Sequence, residues 1–264
     1  MVQQHPSDPR LCFLVLSSDY EPWKSLYLSG PAHTWIRGWN SKSYVPFFTY
    51  SGKTYKCDLL AQISNFLLQR KSMMRIWTSK RQLQEAYFSD YGKIHIEVFE
   101  RWDTMTIKFL SASKLLLDTF DFDYLVRTNT TTYVNQRALS EALASKADYL
   151  GVPSKNGNFA VGWGQIFSRN AITKLVESFP QVGVDKKLFE DEFVGEVIKE
   201  LGYEFKAVKA SRISISDTDQ QYEDSLDSAF IRMHAILGKK RLDSDLFANY
   251  HKFVQTRNLY NDLG

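Results

Sequence analysis

Three stretches of this 264-residue chain hold side chains that could do chemistry together. In residues 122–135, FDYLVRTNTTTYVN, the apolar run Tyr124, Leu125, Val126 stops at Arg127, Thr128, Asn129, Thr130, Thr131 and Thr132. One cation beside a row of amide and hydroxyl groups would hold a polar or anionic ligand by hydrogen bonds. Further on, Trp163 stands between Gly162 and Gly164. Glycines admit a close backbone approach, and an indole offers a flat apolar face. Glu190, Asp191 and Glu192 then open an amphipathic run. A carboxylate there can take a proton from a reacting hydroxyl, or merely answer the dipole of a helix start. Residue type alone leaves both readings open.

Positioning these groups falls to alternating strands and helices. Residues 10–16 (RLCFLVL) are continuously apolar and read as a buried parallel strand ending at Ser17, Ser18 and Asp19. Residues 44–50 read as a second strand, 94–98 as a third and 124–128 as a fourth, and 160–167 form a strand through the Gly162–Gly164 stretch. Apolar spacing of three and four predicts helices over 58–68, 104–117, 139–147 and 189–201, with a further helix capped by Ser168. Asp103 and Thr104 are candidate caps for the second of these. This order argues an α/β fold with a mostly parallel sheet and helices on both faces. In such sheets ligands bind outside the carboxyl ends of the strands. Ser17, Ser18, Asp19, Thr49 and residues 127–132 lie at those ends. Asp121 and Asp123, although spaced as D-x-D, precede their strand and belong at its amino end. The polar stretch 214–228 (SISDTDQQYEDSLDS) reads as a mobile loop.

Composition narrows the classes. Hydrophobic residues at 44% and charged ones at 24% are ordinary for a globular chain. A net charge of +3 suits anionic small ligands and is too small to argue for nucleic acid. Cys12 and Cys57 make no disulfide framework, which indicates a reducing compartment. No apolar run reaches membrane-span length and residues 1–10 lack a signal-peptide core, so the expected location is cytoplasmic. The basic stretch 70–81 (RKSMMRIWTSKR) would suit peripheral contact with anionic head groups at the inner face of a membrane, or a solvated helix face.

Taken in order, five blocks are familiar. His33-Thr34-Trp35-Ile36-Arg37 comes first, then Arg101-Trp102-Asp103-Thr104-Met105-Thr106-Ile107-Lys108. The strand and polar cluster of residues 124–135 follow, then Gly162-Trp163-Gly164-Gln165-Ile166-Phe167-Ser168-Arg169 and Glu190-Asp191-Glu192-Phe193-Val194-Gly195. Their order and spacing resemble the inverting β-1,3-galactosyltransferase and Fringe family, whose fold is of the GT-A type.

The resemblance implies transfer of a sugar from a UDP-sugar to a glycan hydroxyl with inversion, by a single GT-A-like domain. Residues 10–135 would be its nucleotide-sugar half, 136–210 its acceptor and catalytic half, and 211–264 a lid and helical extension. Asp191 falls at the general base. Glu190, Gly162, Trp163 and Gly164 would meet the acceptor. Ser17, Ser18, Asp19, Thr49, Lys108, Arg127, Thr128, Asn129 and Thr131 would meet the donor. The family's divalent ion, manganese or magnesium, would draw on a late histidine, here His234. Where the family keeps aspartates this chain has Asn129-Thr130-Thr131. Three explanations stand open: other metal ligands, cationic side chains such as the run Lys239-Lys240-Arg241 in place of a metal, or a degenerate site. The expected setting is bacterial-type surface polysaccharide or lipopolysaccharide synthesis. The alternative is a non-catalytic sugar- or nucleotide-binding module of a glycan-assembly complex.

Overall fold

The apolar run near the N-terminus forms β1 (Leu11–Leu16). Leu11, Phe13 and Val15 enter one core, while Cys12 and Leu14 enter another. A strand buried on both faces needs apolar side chains at every position, so the run shows no polar alternation. Parallel partners flank it, β2 (Phe47–Lys53) on one side and β5 (Tyr124–Asn129) on the other. The computed structural model describes residues 9–18, 21–37, 47–53, 83–90, 92–99, 104–182, 189–237 and 240–257. Asp19, Asp103, the expected helix 58–68, the basic stretch 70–81 and Lys239 lie outside the described residues.

The central sheet is completed by β3 (Ala86–Asp90), β4 (Lys93–Phe99), β7 (Tyr149–Pro153), β8 (Ala160–Ser168) and β9 (Phe205–Ala207), in the order β3-β4-β2-β1-β5-β8-β7-β9. Among its described strands only β3 and β8 run against the others. Helices α2 (Met105–Thr119), α4 (Arg169–Val182) and α5 (Glu190–Glu200) pack on the face that carries Cys12, Leu14, Leu125 and Phe167. The opposite face carries Phe13, Val15, Val126 and Ile166. It is covered by α3 (Gln136–Leu143), α7 (Asp243–Thr256) and a second sheet of β10 (Ala210–Ser214), β11 (Phe230–His234) and β6 (Thr132–Val134). This is the expected α/β class, a mostly parallel Rossmann-like sheet with helices on both faces. Its strand order reverses at β1, whose neighbours β2 and β5 lie on either side. Ligand crevices form at such a switch point, between the ends of β1 and β5.

Three expectations change. The second strand runs to Lys53, so Thr49 lies inside it. Its register with Val15, which also faces Thr128, still sets Thr49 level with the end of β5. The helix expected over 139–147 runs from Gln136 to Leu143 because Asn135 caps it, accepting from the amides of Arg137 and Ala138 at 3.1 and 3.4 Å. The stretch 214–228, read as a loop, contains α6 (Asp219–Asp224). Thr218 and Gln221 form a capping box at its start. Tyr222 packs edge-on against Tyr250 and Phe253 of α7, each with ring centroids 5.3 Å apart. Local caps and aromatic burial thus order a segment whose composition suggested none.

Candidate active site

The end of β5 is fixed from below. Trp35 is fully buried against Phe13, and its indole N–H donates to the Thr132 carbonyl at 3.0 Å. Met233 of β11 donates its amide to the Thr131 carbonyl at 2.8 Å. Two sequence-distant elements therefore hold the turn between β5 and β6. Within it, the Asn129 side-chain oxygen accepts from the Thr131 amide at 3.0 Å, the Thr131 hydroxyl at 3.0 Å and the Thr132 hydroxyl at 2.9 Å. This is an Asx-type turn, in which a short polar side chain replaces a backbone acceptor.

Beside the turn, Arg127 and Glu190 form an ion pair of 2.7 Å with side chains only 1% and 10% exposed. The Arg127 guanidinium also donates to the Gly162 carbonyl and, at 3.3 Å, to the Gln165 side chain, and lies 5.6 Å from the centre of the Phe109 ring. A side chain on Gly162 would run into that guanidinium, and one on Gly164 would meet Val152 and Phe230 at 2.6 and 2.8 Å. Both glycines are thus required by the protein's own packing, before any ligand is considered. Burial pushes the Glu190 carboxyl above its usual range, while Arg127 and Lys108 pull it down and Asp191 adds to the rise. Lys108, fully buried in the first turns of α2, thereby belongs to the same cluster. Tyr149 also faces the two acids. Its hydroxyl accepts from the Ala160 amide at 2.9 Å, and burial, with help from Asp191 and Glu190, raises its pKa.

Asp191 lies on the outer side of this cluster and is part-exposed. One of its oxygens accepts from the Gly162 amide at 3.0 Å and the other from the Glu192 amide at 3.1 Å. Each oxygen keeps a further lone pair. The second Glu190 oxygen is buried and has no hydrogen-bond partner. Trp163, between the two glycines, is part-exposed, and its carbonyl accepts from the Thr128 hydroxyl at 3.0 Å.

Most of the expected residues therefore come together. Arg127, Thr128, Asn129, Thr131, Gly162, Trp163, Gly164, Glu190, Asp191 and Lys108 share one end of the sheet, and Ser17, Ser18 and Thr49 stand at the same level on β1 and β2. Arg127 and Lys108 are buried among protein groups there, so they act on the site through Glu190. Asp121 and Asp123 stay apart at the amino end of β5, where both pair with Arg10. Sequence reading passed over Gln165 and Tyr149, and also Arg212 and Arg232, the latter lying 5.9 Å from the centre of the Trp163 ring. Arg241 it named, as part of the basic run 239–241. A signal existed for Arg232, a charge set between apolar residues in Phe230-Ile231-Arg232-Met233.

A divalent ion of the kind the resemblance implies wants carboxylate oxygens. The end of β5 offers one amide and several hydroxyls, and the amide oxygen is already engaged three times. Among the described residues no three His, Cys, Asp or Glu side chains come together. His234 is exposed at the end of β11, next to Met233, which holds the turn, and among the described residues it belongs to no group of three such side chains. Among the described residues, the groups at this end of the sheet do not fit a divalent cation.

No protein-family model and no curated protein matches the chain. Solved structures that resemble it include a glycosyltransferase involved in the glycosylation of the major capsid of PBCV-1, at 9% identity and TM-score 0.45, covering 90% of this chain and 99% of that one. Another is the mannosyltransferase PcManGT from Pyrobaculum calidifontis in complex with GDP-Man and Mn2+, at 12% identity and TM-score 0.43, covering 96% of this chain and 65% of that one. A third is the galactosyltransferase LgtC in complex with donor and acceptor sugar analogues, at 10% identity and TM-score 0.43, covering 91% and 95%. Among the described residues no helix is long and apolar enough to cross a membrane.

Proposed function

We propose that this chain is a glycosyltransferase that moves a sugar from a nucleoside-diphosphate donor, UDP being the expected nucleotide, to a glycan hydroxyl with inversion. The observation that carries this reading is the placement of Asp191. The residue is part-exposed, and its carboxylate is held by the amide of Gly162, next to Trp163 in sequence, close to the buried Arg127–Glu190 pair. A base so placed would take the proton of the acceptor hydroxyl as its oxygen attacks the anomeric carbon. The bond from that carbon to the donor phosphate breaks, and its electron pair leaves with the nucleoside diphosphate. Asp191 would return the proton to solvent after release.

Glu190 is unsuited to that task because Arg127 engages it. Its role would be to fix the start of α5, and with it Asp191, through the ion pair with Arg127. Trp163 would offer its face to a sugar ring. Ser17, Ser18, Thr49 and Thr128 would line the donor side of the crevice. Surface polysaccharide or lipopolysaccharide assembly on the cytoplasmic side of a bacterial-type membrane is the setting we infer.

A second reading, a non-catalytic nucleotide- or sugar-binding module, is favoured by the neutral Asn129-Thr130-Thr131 turn. Release of UDP from a panel of UDP-sugars, with and without glycan acceptors, separates the two. The transferase reading expects release, with a product of inverted anomeric configuration by NMR. Binding of donors without any release would overturn it in favour of the module, and a product of retained configuration would remove Asp191 as the base.

A further inference from the structure

A diphosphate leaving group needs positive charge facing it. The usual supply is a divalent ion on carboxylates. Here the described residues bring no three His, Cys, Asp or Glu side chains together, and guanidinium groups stand close by. Arg232 on β11 is in register with Arg212 on β10 and with Thr132 on β6. Register partners on adjacent strands share a face, so Arg212, Arg232 and Thr132 point the same way. Ile231 and Met233, fully buried, point the other way into the core. Thr132 spends its hydroxyl on Asn129, which ties this face to the end of β5. The Arg232 guanidinium lies 5.9 Å from the centre of the Trp163 ring, and the carbonyl of Trp163 is bonded to Thr128. Arg241 approaches from β13 (Lys240–Arg241). It is bonded to the fully buried Asp243 at 2.6 Å and lies over Trp23 at 4.9 Å.

Arg241 and Arg212 differ from Arg232 in their circumstances. Arg241 has its carboxylate, and Arg212 is exposed to water. Arg232 is largely withdrawn from solvent, yet its guanidinium makes no hydrogen bond or ion pair with any described residue. A withdrawn, always-charged group with five donors and no acceptor is costly unless something else completes it. Two further cations beside it raise that cost. Burial and the charges of Arg212 and Arg241 weaken its hold on its proton, against a smaller opposing pull from Asp243. One anion with several oxygens would satisfy all of these demands at once, and a planar guanidinium matches phosphate oxygens in pairs.

Resting on the donor reading above, we propose that Arg232, flanked by Arg212 and Arg241, is a metal-independent site for the diphosphate of the donor. Its guanidinium binds phosphate oxygens directly where a divalent ion would otherwise bridge them.

The test is calorimetric titration of UDP and, separately, of inorganic pyrophosphate, each once with chelator and once with manganese, against the wild type and Arg232→Gln. Both probes are expected to bind with chelator present and to gain little from manganese. Arg232→Gln is expected to weaken both at least about tenfold, the loss of one charge-assisted hydrogen bond, and Arg232→Lys to recover part of the affinity. Because the substitution relieves repulsion, Arg232→Gln should melt no lower than the wild type, which separates a binding defect from misfolding. Binding that requires manganese, or binding undiminished in Arg232→Gln, would overturn the proposal while leaving the transferase reading standing. Metal-free pyrophosphate binding that depends on Arg232, with no turnover of any UDP-sugar, would uphold the anion site and sink the transferase reading instead.

Discussion

Replacing Arg127 with methionine would leave the Glu190 carboxyl buried without its partner. The side chains are 1% and 10% exposed, so water cannot replace the lost guanidinium. Removing one member of a buried pair costs about 3–5 kcal/mol, and the Gly162 carbonyl and Gln165 side chain would lose their donor as well. The cost should depend on pH in a defined direction. Burial already raises the Glu190 carboxyl, and Arg127 opposes that rise. Without Arg127 the folded-state value climbs further. Below the ordinary glutamate value both folded and unfolded chains hold the proton, and no penalty from ionisation is felt. As pH rises through the window up to the raised value, the unfolded chain ionises first, and stability falls by at most about 1.4 kcal/mol per pH unit. Urea unfolding followed by tryptophan fluorescence, from about pH 5 to about pH 8, reads this directly. Arg127→Met should lose stability progressively relative to the wild type as pH rises. Arg127→Met with Glu190→Gln should lose that pH dependence and recover part of the stability, a coupling of roughly 0.5–3 kcal/mol. A destabilisation of Arg127→Met that is flat with pH, or that shrinks as pH rises, would refute the claim that these two charges hold the site's floor together.

Three further outcomes are expected. In a Cys57→Ser background, Cys12 should resist thiol reagents until the protein unfolds, because it is fully buried and its pKa is pushed up to about 12; rapid labelling of the native protein would contradict this. Gly164→Ala should cost about 1–3 kcal/mol in urea unfolding, since the new methyl meets Val152 and Phe230 at 2.6 and 2.8 Å; an unchanged midpoint would mean that this packing yields freely. Asp121→Asn with Asp123→Asn should leave nucleotide binding unchanged with or without manganese, as both residues sit at the amino end of β5 with Arg10; a metal response that vanishes in this variant would make them the ion's ligands.

The sheet was legible where burial dictates every side chain. Residues 11–16 and 124–126 face cores on both sides, so their continuous apolarity announced central strands. The helix carrying Asp191 was legible from its spacing, with Phe193, Val194, Val197 and Ile198 buried along one side. The Asn129 turn was legible in principle, since an Asn followed two residues later by Thr is a local hydrogen-bonding unit. Long-range pairings were not. Arg127 looked like a ligand-facing cation because nothing near it in sequence shows that Glu190, 63 residues away, will claim it. Lys108 looked the same for the same reason. Of the arginine cluster only Arg241 was singled out, in the basic run 239–241; Arg212 and Arg232 escaped because they lie on short strands whose register only the tertiary structure sets. The glycines at 162 and 164 were read as making room for a sugar, whereas Arg127 and Phe230 already occupy that room.

The central claim is that Asp191 takes the proton in a sugar transfer. The most direct measurement compares acceptor-dependent UDP release by the wild type and Asp191→Asn, with melting temperatures measured on the same preparations. The account predicts that release falls by roughly 10²–10⁴-fold, while the amide still accepts from Gly162 and the melting temperature barely moves. Release near the wild-type rate from a well-folded Asp191→Asn protein would contradict it.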